Sequence, residues 1–203
     1  MKVIIFNAPP GAGKDESINY LKKKGIVFPF SFKSRLKAIT LSIYNIPEKL
    51  WDSWYTREGK ELPRPELMGK SCREALIHTS ENVIKPVFGE KFFGEAECRN
   101  IIRNGTEKYY MAACSDGGFN QEVEPLIEQF GAENVFIVYL HRDGCTFVGD
   151  SRSWISIKEI PGQNYIAIEN NGTLDDLYVE LDWLLVYVDN PFSHVRNATA
   201  LTN

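Results

Sequence analysis

The sequence predicts an α/β fold, a central parallel sheet flanked by helices, and three observations carry that reading. Short apolar runs alternate with stretches of helical spacing along the chain, the pattern of parallel strands covered on both faces. The first run, KVIIF over 2–6, leads straight into a glycine-bearing turn and then a helix. The strongest run, VFIVYL over 135–140, holds only apolar and aromatic residues, as a strand buried on both faces requires.

Taken in order, Lys2 to Phe6 is the first strand. Asp15 to Lys24 places Ile18 and Leu21 at helical spacing, and Gly25 is a natural stop. Ile26 to Phe32 is a second strand or an extended connection. Ser34 to Tyr44 is helical through Leu36, Ile39, Leu41 and Ile43. From Asn45 to Lys70, Pro47, Pro63 and Pro65 together with Trp51, Trp54 and Arg57 break the pattern into short helices and turns, which suits a substrate-binding insertion. Helices follow over Ser71 to Phe88 and Phe92 to Arg103. Tyr109 to Cys114 is a strand that ends in Ser115-Asp116-Gly117-Gly118-Phe119, and Gln121 to Phe130 is a helix closed by Gly131. After the strand Val135 to Leu140, the polar stretch Gly149 to Trp154 has the make-up of a mobile lid. Tyr165 to Glu169 is the last strand. Thr173 to Tyr187 is the final helix, entered through the turn Asn170-Asn171-Gly172-Thr173. In a parallel sheet ligands sit beyond the carboxyl ends of the strands, so the loops after Phe6, Cys114 and Leu140 are expected to meet at one site.

Composition narrows the class. A chain that is 43% hydrophobic and 25% charged is ordinary for a soluble globular protein. A net charge of -4 argues against coating nucleic acid by charge alone. No apolar run approaches the length of a membrane span, so no membrane partner is expected. Cys72, Cys98, Cys114 and Cys145 form no C-x-x-C pair, and free thiols in a reducing cytoplasm are the expected state.

The turn after the first strand reads Ala8-Pro9-Pro10-Gly11-Ala12-Gly13-Lys14-Asp15-Glu16. It matches the phosphate-binding pattern G-x-x-x-x-G-K-[ST] except at Ala8 and Asp15. Such a loop works through inward-pointing backbone N–H groups and the positive end of the following helix. Gly11 and Gly13 supply the unusual angles, Ala12 a backbone N–H between them, and Lys14 reaches the terminal phosphates of ATP. Pro9 and Pro10 donate nothing and stiffen the loop. A carboxylate at Asp15 ligates Mg2+ directly or through water, and Glu16 follows it at the nucleotide. Asp116, at the end of a strand beside the loop, is a second metal and catalytic candidate. Phosphoryl transfer depends on positioned cations. Arg152 in the lid is the catalytic candidate, Arg142 a flat cation for adenine, and Lys33, Arg35 and Arg73 lie where an acceptor would bind.

These residues resemble the deoxynucleoside monophosphate kinases of bacteriophages. The resemblance rests on Gly13-Lys14-Asp15, on Phe32-Lys33-Ser34-Arg35-Leu36-Lys37, and on Ser71-Cys72-Arg73-Glu74-Ala75-Leu76 with Thr79-Ser80-Glu81. Ser115-Asp116-Gly117-Gly118-Phe119 followed by Glu122 resembles the family's aspartate-arginine-phenylalanine strand end, with Gly117 in place of the arginine. Glu16 stands where a threonine often follows, and Ser80 replaces a glycine. The chain is read as a single P-loop kinase domain over 1–190, with an insertion at about 45–105, a lid at about 143–160 and a polar tail over 191–203. It implies ATP and Mg2+ at Lys14 and Asp15, and a deoxynucleoside monophosphate facing Arg35, Arg73 and Glu81. A cytoplasmic location, that of an infected bacterial host for a phage product, goes with it, and a homodimer is left open. Two other readings compete: a kinase of the hydroxymethyl group of 5-hydroxymethyluracil in phage DNA, and a non-catalytic nucleotide-binding switch.

Overall fold

A computed structural model describes residues 1–189; residues 190–203, which include the tail expected over 191–203, lie outside that description. Five strands form one parallel sheet: β1 (Lys2–Asn7), β2 (Val27–Pro29), β3 (Met111–Cys114), β4 (Val135–His141) and β5 (Tyr165–Glu169). Their order is β2-β3-β1-β4-β5, so the strand that feeds the glycine-bearing loop lies at the centre. The sheet is flanked by helices, and the α/β architecture expected from the sequence is the one observed.

Alternation along β1 explains the two layers. Ile4 and Phe6 point to one face, where Leu21 and the final helix pack through Leu177, Leu181 and Leu184. Val3 and Ile5 point to the other, against Phe93, Cys98, Ile101, Val123 and Leu126. All four β1 residues are fully buried, and each such side chain contributes about 1.5–3 kcal/mol. The helix after β1, α1 (Lys14–Lys23), lies on the first face. That face also carries α8 (Leu174–Asp189). The helix after β3, here called α7 (Asn120–Phe130), lies on the opposite face with α6 (Phe92–Asn104). Neighbouring strands that send the chain to opposite faces open a crevice at their carboxyl ends.

Between β2 and β3 the chain builds a helical region: α2 (Phe32–Tyr44), α3 (Glu48–Trp54), α4 (Cys72–His78) and α5 (Lys85–Phe88). Ile46, Trp51, Leu67, Cys72, Ala75 and Leu76 form its own small core. Phe93, Cys98 and Ile101, also within the predicted 45–105 insertion, pack instead on the sheet, so the separate part is the earlier half. The helix predicted over Ser71 to Phe88 is continuous but changes pitch: Thr79–Ile84 is a π-helical turn between α4 and α5. Ser31 caps α2, accepting from Ser34 N at 3.0 Å, and starts that helix earlier than the apolar pattern suggested. The four cysteines are free thiols. Among the described residues no helix is long and apolar enough to cross a membrane.

Candidate functional site

The loop between β1 and α1 takes the shape its glycines permit. Gly11 has φ 84° and Gly13, at the N-cap of α1, has φ 104°. A Cβ on Gly13 would also collide with the Asn170 amide, whose Nδ2 donates to Ala12 O at 2.9 Å. Asn170 follows β5, and its own N–H donates to His141 O, so the last strand braces the loop from behind. Ala8 and Ala12 are fully buried. The ammonium of Lys14 turns back into the loop and donates to Ala8 O at 2.6 Å and Pro9 O at 2.7 Å. Burial, followed by the nearby Arg152, lowers its pKa to about 8. A half-desolvated cation held only by carbonyls is ready to exchange them for phosphate oxygens.

Asp15 is exposed in the first turn of α1, and its Oδ1 accepts from Ser115 Oγ at 3.0 Å. That bond ties the loop to the end of β3. Glu16 accepts from Tyr178 OH on α8, which holds its carboxylate to the neighbouring helix. Both acids line a cavity of about 680 Å³ with Gly11, Gly13 and Lys14.

Asp116 lies one residue beyond Ser115. Its Oδ2 accepts from Ser31 Oγ and from Lys33 N, both at 2.8 Å, which pins the start of α2 to the end of β3. Its Oδ1 is shielded from water and has no partner. Burial raises the Asp116 pKa against the pull of the Lys33 N–H and Ser31 hydroxyl. For a divalent cation, Asp15 and the free Asp116 oxygen are the donors present. Among the described residues no group of three or more acids, histidines or cysteines forms a complete cage. That donor set fits Mg2+, which takes one or two carboxylates and completes its shell with phosphates and water.

A second cavity of about 460 Å³ adjoins the first. Lys33, Tyr55, Asp116 and Arg152 line both. Lys33 Nζ lies 4.0 Å from the centre of the Tyr55 ring, and Tyr55 stacks on the buried Trp51. Arg152 is held bidentately by Asp150 at 3.0 and 2.8 Å, which depresses the Asp150 pKa to about 2. The stem of Arg152 lies on Gly118, where any Cβ would collide with it, and a Cβ on Gly117 would strike Ile5. Arg73 donates to Gly149 O at 3.1 Å and faces Glu61 at 3.5 Å, joining α4 to the loop that holds Arg152. The π turn brings Glu81 to the cavity, where it pairs with Lys85 at 2.7 Å; π turns recur at functional sites.

Three predicted positions change. Arg35 faces away, 4.0 Å from the buried Glu97, on a third cavity with Asn100 and Ser34, because two residues along α2 turn it about 200° from the face that presents Lys33. Arg142 is exposed and lines neither of the two adjoining cavities. Within the stretch of about 143–160 expected as a lid, Ile155, Ile157 and Ile160 are buried in the sheet core. Sequence reasoning passed over Asn7, which ends β1 fully buried. Its Nδ2 donates to Gly117 O at 3.2 Å and Ser153 O at 3.0 Å, and its Oδ1 accepts from Ile155 N at 2.9 Å. A polar residue closing a buried apolar run was the one available signal. Asn170, Lys85 and Asp150 carried no local signal.

No protein-family model matches the chain, and no curated protein matches it in sequence. Among solved structures it is similar to a de novo designed protein with a P-loop NTPase fold, determined in solution by NMR. The two are 11% identical, with 94% of this chain and 95% of that chain covered and a TM-score of 0.38. The fold described here rests on its own evidence, the strand order and the loop between β1 and α1.

Proposed function

We propose that this chain is a phosphotransferase that moves the γ-phosphate of ATP to a deoxynucleoside monophosphate. One observation supports it above the rest: a cavity at a glycine-bearing loop and a second, partly apolar cavity meet at Lys33, Tyr55, Asp116 and Arg152. Phosphoryl transfer needs donor and acceptor in line with cations at their junction, and little else from the protein. In this reading the loop N–H groups, the α1 terminus and Lys14 hold the donor phosphates. Mg2+ on Asp15 and Asp116 would offset their charge and draw them together. Lys33 and Arg152 orient the acceptor phosphate, one of whose oxygens forms the new bond to phosphorus as the bond to the β-phosphate oxygen breaks. That acceptor is already ionised, so no base is required.

The unpartnered Asp116 oxygen favours a second reading, in which the acceptor is a hydroxymethyl group of a base in DNA and Asp116 takes its proton. An ATP-consumption assay against the four deoxynucleoside monophosphates and against 5-hydroxymethyluracil DNA separates the two. Formation of ADP and a deoxynucleoside diphosphate is the expected result. Turnover with DNA alone would overturn the first reading, and nucleotide binding without turnover on either would leave a switch.

A further inference from the structure

Glu122 stands in the first turn of α7, on the wall of the acceptor cavity but not of the donor cavity. The Phe119 N–H faces its carboxyl, at the position from which an acid can serve the backbone of the N-cap. That role needs one oxygen, yet Oε2 is shielded from water without a partner. Four side-chain atoms among the described residues are in this condition: Arg64 Nε, Thr79 Oγ1, Asp116 Oδ1 and Glu122 Oε2. The last two belong to one cavity. An orphaned buried acceptor costs about 1–3 kcal/mol, and a fold tolerates it where a ligand supplies the partner.

We propose that Glu122 is a specificity-determining residue, its Oε2 hydrogen-bonding the polar edge of the acceptor's base beside Phe93 and Phe119. The inference rests on the kinase reading above. That reading puts the acceptor phosphate with Lys33 and Arg152, which line both cavities, and the rest of the nucleotide along the wall that carries Glu122, which lines the acceptor cavity alone. Phe119 is 36% exposed, an apolar ring available to a base face. Burial, then the neighbouring Asp116 charge, pushes the Glu122 pKa well up, while Lys85 and Arg152 oppose them. Glu81, Glu90, Asp150, Lys33, Lys60 and Arg73 are the other charged groups on the cavity walls, and α6 faces Glu122 with the close backbone of Gly94. Every base presents a donor or acceptor on its edge, so one fixed carboxyl discriminates among the bases by which of these it meets.

The test is equilibrium binding of the four deoxynucleoside monophosphates, by calorimetry, to wild type, Glu122→Ala and Glu122→Gln, with ATP binding and thermal melting as controls. Wild type should prefer one or two of the four. Glu122→Ala should weaken the preferred ligand about tenfold, the scale of one hydrogen bond, and level the preference. Glu122→Gln keeps the capping oxygen and the melting temperature but exchanges an oxygen for an amide, and should reorder the preference. ATP affinity should be unchanged in both. An unaltered preference in both variants would overturn the inference and leave Glu122 a cap. Failure of wild type to bind any monophosphate would instead overturn the kinase reading itself.

Discussion

The loop between β1 and α1 and the cavity beside Arg152 are built in opposite ways. The loop is contiguous: residues 8–16 carry its glycines, its cation and its first acid, and backbone angles set its shape. The cavity draws on α2, the α4–α5 region, the end of β3, α7 and the segment around Arg152, with residues far apart in sequence. Backbone-built sites tolerate sequence change but not a change of angle. Sites built from side chains tolerate small shifts of the backbone but depend on each partner. The two should therefore fail differently when cut.

The sharpest cut is Lys14→Ala. Its ammonium is bonded only to Ala8 and Pro9 of its own loop, so transfer should fall by at least about a thousandfold while the melting temperature hardly moves. Activity within tenfold of wild type, by ADP release, would break the donor half of the comparison. Next comes Gly118→Val, which removes the bed on which Arg152 lies. Turnover should drop by about a hundredfold with the KM for ATP unchanged, since only the cation at the junction is displaced. A raised KM for ATP would show that the two halves are not separable.

A smaller effect separates the halves by pH. Lys14 in the free protein titrates near pH about 8, and an anionic phosphate beside it would raise that value. ATP binding should then take up a proton above that pH and weaken by up to about tenfold per unit, measured by calorimetry in buffers of different ionisation enthalpy. Because the folded pKa lies below the ordinary 10.5, the native chain holds fewer protons across that interval, so Lys14 contributes rising stability between pH 8 and 10.5. An ATP affinity independent of pH from 7 to 9 would contradict a phosphate contact. The least effect belongs to Arg35→Ala, whose guanidinium is 46% exposed and lies on the third cavity. Turnover should change by less than about twofold; a large loss would bring that cavity into the reaction.

Legibility followed the same division. The strand, loop and first helix could be read directly because adjacency in sequence is adjacency in space, and the positive φ of Gly11 and Gly13 follows from the residue type. Nothing near Gly13 announces that Asn170 fills the space above it, because that contact exists only once β5 is placed beside β4. Arg35 was expected beside Lys33 because the two are close in sequence, but two residues along one helix face nearly opposite ways. The burial of Ile155, Ile157 and Ile160 was not legible, because they sit in a polar context that hides their alternation.

One consequence follows from Asn7. With Ser153 and Ile155 fastened to it and Asp143 N bonded to Asn171 Oδ1 at 2.8 Å, the intervening chain is a strap moored at both ends rather than a door on one hinge. Val148, 90% exposed, rides at its crest, and from α4 Arg73 donates to Gly149 O. A strap held in this way has to lose an inner contact before it can lift, and the Arg73 bond is a small one, with a net worth of about 1 kcal/mol. Arg73→Ala should therefore loosen the strap without freeing its ends, which nuclear relaxation at Val148 would report.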